Sequence, residues 1–100
     1  MPASRAPADC ATMADLRDQI DAIDADLIAL LALRATYIDR AVPLKQAAGL
    51  PAHIAGRVDE VIANVRALAA ASDLDPDLAQ AIWTTLIDWS IAREAAHLPD

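Results

Sequence analysis

Apolar residues recur every three or four positions along the first half of the chain, between residues 16 and 42. This spacing predicts a helix with one buried face. Thr12 followed by Asp15 resembles a capping box in which Asp takes the place of Glu, so we expect the helix to begin there. The residues of the apolar face are Leu16, Ile20, Ile23, Leu27, Leu31, Ile38 and Val42.

This first helix should run to about Ala48, because Gly49 is a typical residue for a helix end. Pro43 removes one backbone hydrogen bond and clashes with the carbonyl of Asp39, which predicts a kink just before Lys45. A helix of this length would extend about 50 Å. Two shorter helices of the same chain could not cover it, so we expect a second, antiparallel copy and an intertwined helical homodimer.

Two shorter helices should follow. The second is expected from about residue 51 or 52 to Ala71, and the third from Pro76 to about His97, with Asp75 as its N-cap. The predicted fold class is therefore all-α, with three helices per chain and the first much the longest. The apolar residues expected to be buried are Ile54, Val58, Val61, Ile62, Val65 and Leu68 in the second helix, and Leu78, Ile82, Leu86 and part of Trp89 in the third.

The composition supports one small helical domain. Apolar residues make up 56% of the chain, aromatics only 3%, and two glycines among 100 residues argue against a sheet. We expect residues 1–11 to be a flexible leader and residues 12–100 to form a single domain. The net charge of −7 argues against nucleic acid and anionic membrane surfaces as partners.

Residues typical of export, disulfides and metal sites are scarce. The N-terminus has no apolar segment of the kind found in secretory signals, so we expect a cytoplasmic protein. Cys10 is the single cysteine, which leaves no internal disulfide. His53 and His97 have no Cys or His neighbours at ligand spacing, and we therefore expect neither a metal ion nor another cofactor.

Three basic residues stand where the first helix should be packed. Arg34 and Lys45 fall on the apolar face, eleven positions apart, and therefore share that face. Arg17 lies about 100° round the helix from Arg34 and faces a different neighbour. Buried cations are costly unless paired. Taken singly, Arg34 could bond a core Asp and Lys45 could extend to solvent; together they favour a site for a small dianion.

The other helices contribute further candidates. Ser90 and Glu94 lie four positions apart, on one face of the third helix, and Arg57 lies at the edge of the second helix's apolar face. Two simpler interpretations stay open. Glu94 could be an exposed carboxylate near Arg93, and Arg57 could form an ion pair with Glu60 three positions away.

The order of these residues resembles that of the all-helical chorismate mutases. The resemblance covers residues 12–97 and depends on the run LRDQIDAIDADLIALLALR, then Lys45, then Arg57, then LIDWSIARE. The opening ADCATMADLRDQID is similar to the isochorismate pyruvate lyases of salicylate and siderophore pathways, which share this fold. The resemblance implies a homodimer and a small dicarboxylate substrate, chorismate or isochorismate.

The resemblance also implies roles for the three cations of the first helix. Arg17 would reach into the partner's site and bind one substrate carboxylate, and Arg34 would bind the other. Lys45 would contact a carboxylate and the ether oxygen whose bond breaks. Arg34 and Lys45, with Glu94, would thus be the catalytic residues, and no metal would be required.

For the remaining candidates the match is less complete. By resemblance, Arg57 would help to hold the ring carboxylate, Ser90 would lie nearby, and Glu94 would occupy the position of the donor to the ether oxygen. Many family members have Gln there, and a Glu donates only when protonated. The family's Glu for the ring hydroxyl is replaced by Val58, and the acidic position four residues earlier is Ile54.

These residues lead to one main hypothesis and two alternatives. The main hypothesis is a chorismate mutase that rearranges chorismate to prephenate by electrostatic preorganisation in a cationic pocket at the dimer interface. The first alternative is an isochorismate pyruvate lyase, which would release salicylate and pyruvate. The second is a non-catalytic helical binding module.

Overall fold

A computed structural model describes residues 5–99 of the chain, which contain three α-helices and no β-strand. Helix α1 spans Met13–Ala48, α2 spans Ala55–Ala71 and α3 spans Pro76–Ala95. The all-α prediction with a long first helix is confirmed. The chain divides into two compact units, one ending at Thr36 and the other beginning at Tyr37, and they are described separately below.

In the first unit, the predicted start of α1 is confirmed by its cap. The hydroxyl of Thr12 accepts a hydrogen bond from the amide of Asp15 at 3.1 Å. In return, the Asp15 carboxylate accepts from the amide of Ala11 at 3.2 Å, one residue earlier than in a standard capping box. The Ala11 amide, together with the nearby Arg5 guanidinium, holds the pKa of the Asp15 carboxyl below its usual value.

The predicted leader has local structure in its described part. Residues 7–9 form a single 3-10 turn, the Arg5 guanidinium lies 3.1 Å from the Asp15 carboxylate, and the Arg5 amide donates to Gln19 at 2.9 Å. These contacts tie residues 5–11 to the first turns of α1. Residues 1–4 of the predicted leader lie outside the described residues.

In the second unit, α1 continues through Pro43 and ends, as predicted, before Gly49. Gly49 adopts a φ of 69°, and the amide of Leu50 donates to the carbonyl of Lys45 at 2.9 Å, which closes the helix end. The helix assignment is unbroken through Pro43, and the bend expected there stays a prediction.

Helix α2 begins three to four residues later than predicted. Ile54 is extended, with φ −117° and ψ 102°, and acts as the N-cap of a helix that starts at Ala55. The carbonyl of Ala52 accepts a hydrogen bond from the Lys45 ammonium rather than from a following turn of helix. This contact ties the segment before α2 to the last turn of α1.

Helix α3 has the predicted start and a slightly earlier end. The Asp75 carboxylate accepts from the amide of Asp77 at 2.9 Å, and Pro76 is the first helical residue. The helix ends at Ala95, and the amide of His97 then bonds the carbonyl of Glu94 in a tighter turn.

The buried face of α3 differs from the predicted one. Leu78, Ile82 and Trp89 are each more than 40% exposed in the single chain, and Leu86 is half-buried. Helix α3 packs against α2, with Ala79 of α3 and Ala69 of α2 both buried. The α3 residues that are buried are Ala79, Ile87, Ser90 and Glu94.

The long helix α1 has no buried residue, although much of its surface is apolar. Contiguous exposed apolar surface on this scale is typical of a protein–protein interface. No helix among residues 5–99 is long and apolar enough to cross a membrane. The large apolar side chains that α1 exposes are Met13, Ile20, Ile23, Leu27, Ile28, Leu30, Leu31, Leu33, Tyr37 and Leu44.

The two glycines provide a test of the helix ends. A Cβ at Gly49 or at Gly56 would meet no atom within 4 Å, so only backbone conformation separates the two sites. Gly49→Ala should lower the free energy of unfolding by about 1 kcal/mol because its φ is positive. Gly56→Ala, in the first turn of α2, should raise it slightly, because alanine favours a helix more than glycine does. Urea unfolding followed by circular dichroism would measure both, and equal signs would contradict this account.

Candidate active site

An ion pair joins the last turn of α1 to the end of α3. The Lys45 ammonium nitrogen lies 2.7 Å from Oε1 of Glu94, and the two side chains are 19% and 6% exposed. The sequence placed both residues among the site candidates, and the structure brings them together. The interpretation of Glu94 as an exposed carboxylate is wrong, because the residue is buried.

The Lys45 ammonium has a second oxygen partner. Nζ donates to the backbone carbonyl of Ala52 at 2.9 Å, in the segment between α1 and α2. Oε1 of Glu94 is buried, and its 2.7 Å separation from Nζ is that of a close charge-assisted contact. The cation is thus held between a carboxylate oxygen and a backbone carbonyl oxygen.

Ser90 lies one turn before Glu94 and is also buried, with 4% of its surface exposed. Its hydroxyl donates to the carbonyl of Leu86, four residues back along α3, at 2.7 Å. Since this bond uses the hydroxyl hydrogen, any further hydrogen bond of the Ser90 oxygen is one that it accepts. Ser90 and Glu94 share the buried face, as their spacing predicted.

The three arginine candidates lie in different places. Arg57 is exposed and forms an ion pair with Glu60, as the simpler interpretation of this residue predicted. Arg17 and Arg34 belong to the first unit, where Arg17 is exposed and Arg34 half-buried. The structure of this single chain therefore joins Lys45 with Glu94 and places Arg57 on the surface.

Sequence analysis missed a second ion pair near the end of α3. The Arg93 guanidinium donates through Nε and Nη2 to both carboxylate oxygens of Asp39, the second at 3.0 Å, and it lies 5.2 Å from the Trp89 ring centre. The hydrogen bond and charge of Arg93 hold the pKa of the Asp39 carboxyl below its usual value, and Asp39 raises the pKa of Arg93. Because Asp39 and Arg93 lie 54 positions apart, no local sequence pattern predicts their contact.

Candidate metal ligands do not gather in the described part of the chain. Across residues 5–99, no three His, Cys, Asp or Glu side chains come together as ligands would. The chemistry that the site can perform with its own residues is charge stabilisation and hydrogen bonding around Lys45, Glu94 and Ser90.

Comparison with known proteins shows the family to which the chain belongs. Residues 16–95 match the family described as chorismate mutase type II. The chain is also 31% identical over 94 residues to an isochorismate pyruvate lyase from Pseudomonas aeruginosa, covering 93% of this chain and 91% of that protein. The chain belongs to the chorismate mutase type II family. The match includes every candidate from Arg17 to Glu94.

Proposed function

We propose that this protein is a chorismate mutase that converts chorismate to prephenate. The observation that carries the proposal is the buried Lys45–Glu94 pair, a cation held beside a carboxylate in a chain of the chorismate mutase type II family. Ser90 lies on the same buried face of α3. The reaction is a pericyclic rearrangement, in which the ether C–O bond breaks while a C–C bond forms, without a covalent intermediate.

Catalysis of such a reaction requires a compact substrate conformer and stabilisation of charge on the ether oxygen. Arg34 of one chain and Arg17 of the partner would each bind one substrate carboxylate and hold the reacting ends together. Arg57 would turn from Glu60 to the ring carboxylate when substrate binds. These assignments are transferred from the family resemblance.

Lys45 would stabilise the negative charge that develops on the ether oxygen. In the structure its ammonium group already has a defined position, set by the Ala52 carbonyl at 2.9 Å and by Glu94 at 2.7 Å. A cation that is held in place before substrate arrives needs little reorganisation in the transition state. Glu94 would lie beside the same oxygen and would help by donating a hydrogen bond when it is protonated.

We further propose that the active species is a homodimer. Helix α1 exposes apolar side chains such as Ile20, Leu27 and Leu31, and a second copy of the same helix would cover them. The exposed position of Arg17 on this helix suits a residue that enters the site of the partner. A dimer would also supply the apolar burial that a three-helix chain of this size lacks.

Isochorismate pyruvate lyase is the second candidate function. It is supported by the relative of that name, and by the apolar Ile54 and Val58 where mutases carry acids for the ring hydroxyl. Both residues are half-buried at the start of α2 and offer the substrate no hydrogen-bonding side chain. A non-catalytic helical binding module is the remaining alternative.

One experiment separates the three functions. Purified protein is incubated with chorismate and, separately, with isochorismate, and the formation of prephenate, salicylate and pyruvate is followed. Prephenate from chorismate as the faster reaction supports the mutase. Faster release of salicylate and pyruvate from isochorismate would assign the lyase instead. If none of these products formed, the binding module would be the remaining function.

Replacing Glu94 with glutamine should raise mutase activity at neutral pH. An ionised Glu94 only accepts hydrogen bonds and competes for the Lys45 ammonium, whereas an amide donates at every pH. The measurement is kcat/KM for chorismate at neutral pH, compared between wild-type protein and Glu94→Gln.

The matched control is Asp88→Asn, the same carboxylate-to-amide change at an exposed position of α3. It should keep the wild-type kcat/KM. An activity that is equally unaffected by Glu94→Gln would place Glu94 outside the reacting centre.

A further inference from the structure

Two polar contacts flank the Lys45–Glu94 pair. Before the pair, Asp39 of α1 accepts the Arg93 guanidinium of α3. After the pair, the Gln46 amide donates to the backbone carbonyl of His97 at 3.1 Å. We call these the flanking contacts. Along α1 the order is Asp39, Lys45 and Gln46, and their respective partners in and after α3 are Arg93, Glu94 and His97. The ion pair therefore lies between the two flanking contacts.

The first flanking contact has a defined geometry. Arg93 uses two nitrogens of its planar guanidinium for the two oxygens of Asp39, which fixes direction as well as distance. The Trp89 ring lies 5.2 Å from the same guanidinium and restricts it further. Because Arg93 immediately precedes Glu94 in the chain, anchoring Arg93 also anchors the backbone from which Glu94 extends.

The second flanking contact holds the other partner of the ion pair. Gln46 immediately follows Lys45, so its bond to the segment after α3 restrains the turn of α1 that carries the ammonium group. The acceptor is the carbonyl of His97, which lies just beyond the end of α3, where backbone carbonyls have no intrahelical partner. Each member of the pair thus has a chain neighbour bonded across to the opposite segment.

We propose that Arg93 and Gln46 are positioning residues, which fix the separation of the Lys45 ammonium and the Glu94 carboxylate that the proposed mutase uses. The proposal rests on the proposed function, in which both groups act on one ether oxygen. A displacement of about 1 Å at a reacting centre costs up to about 100-fold in rate. Neither Arg93 nor Gln46 needs to touch the substrate.

Exposure separates this role from a role in stability. The side chains of Arg93 and Asp39 are 46% and 50% exposed, and ion pairs at such sites contribute little to the free energy of unfolding. A merely structural pair would therefore change neither stability nor kcat appreciably when it is lost. A positioning pair would lower kcat in protein that remains folded.

The test compares Arg93→Met with a matched control. Arg66→Met removes an arginine of similar exposure, 40%, whose partner Asp77 lies near the start of α3, far along the chain from Glu94. We expect Arg93→Met to lower kcat about tenfold with little change in KM. The melting temperature should shift by no more than about 2 °C in either variant, and Arg66→Met should keep wild-type kinetics.

Two further variants test the geometry. Gln46→Leu should lower kcat in the same way, because it breaks the second flanking contact. The exchanged pair Asp39→Arg with Arg93→Asp should recover part of the kcat lost in Arg93→Met, since it restores an ion pair between the same positions. Wild-type kcat in both Arg93→Met and Gln46→Leu would overturn the proposal.

A readout that needs no substrate distinguishes this proposal from the proposed function. Crystal structures of the variants measure the distance between Nζ of Lys45 and Oε1 of Glu94, which is 2.7 Å in the wild-type chain. This distance should increase in Arg93→Met and stay unchanged in Arg66→Met. If wild-type protein converts neither chorismate nor isochorismate while the distance increases in Arg93→Met, the proposed function fails and the positioning role stands. An unchanged distance in Arg93→Met would refute the positioning role itself.

Discussion

Replacing Lys45 with alanine should lower kcat for chorismate by about 100-fold or more, the scale for losing a preorganised electrostatic group. The ammonium group is held by Ala52 and Glu94 before substrate binds, so its charge serves the transition state without a reorganisation cost. KM should change less than kcat, because Arg17 and Arg34 hold the substrate carboxylates in the proposed site. Steady-state kinetics of prephenate formation would measure both constants.

A loss of folding must be separated from this loss of rate. Removing Lys45 leaves Glu94 buried without its counter-charge, which is destabilising. The double variant Lys45→Ala with Glu94→Gln removes both charges and should regain stability while kcat stays low. Arg40→Ala, which deletes an exposed cation of the same helix, is the control and should keep wild-type activity.

The kinetic constant that changes decides the role of Lys45. A decrease in kcat assigns transition-state stabilisation to the ammonium group. An increase in KM alone, with kcat unchanged, would make Lys45 a ground-state binding residue and would contradict the mechanism proposed above.

Mixing Arg17→Ala chains with Arg34→Ala chains should restore activity that neither variant has alone. In the proposed dimer each site takes Arg34 from one chain and Arg17 from the other, so a heterodimer would contain one intact site and one that lacks both arginines. After random exchange, half of the dimers are mixed, and activity should reach about a quarter of the wild-type value. Each variant alone should lose activity by about 100-fold.

The control places both substitutions in one chain. Heterodimers of Arg17→Ala/Arg34→Ala chains with wild-type chains contain no intact site, so mixing should add no activity beyond that of the wild-type dimers present. Heterodimers would be demonstrated by native mass spectrometry of differently tagged chains. Demonstrated heterodimers without recovered activity would refute the shared site.

The sequence by itself determined the helices and several of their ends. The three-to-four residue spacing of apolar positions predicted α1, and the Thr12 cap, Gly49 and Asp75 predicted helix ends that the structure confirms. Such signals are readable because helices and caps depend on residues close in the chain. The order of the candidate residues also resembled the family that the comparison shows.

Only the tertiary structure decided which side chains meet. The sequence named Lys45 and Glu94 as candidates, but their 2.7 Å contact joins residues 49 positions apart and depends on how the end of α3 lies against the end of α1. The same packing joins Arg93 to Asp39, and the packing of α3 with α2 accompanies the burial of Ala79 and Ile87 instead of Leu78. These features depend on contacts between distant segments, and the spacing of residues along one helix carries no information about them.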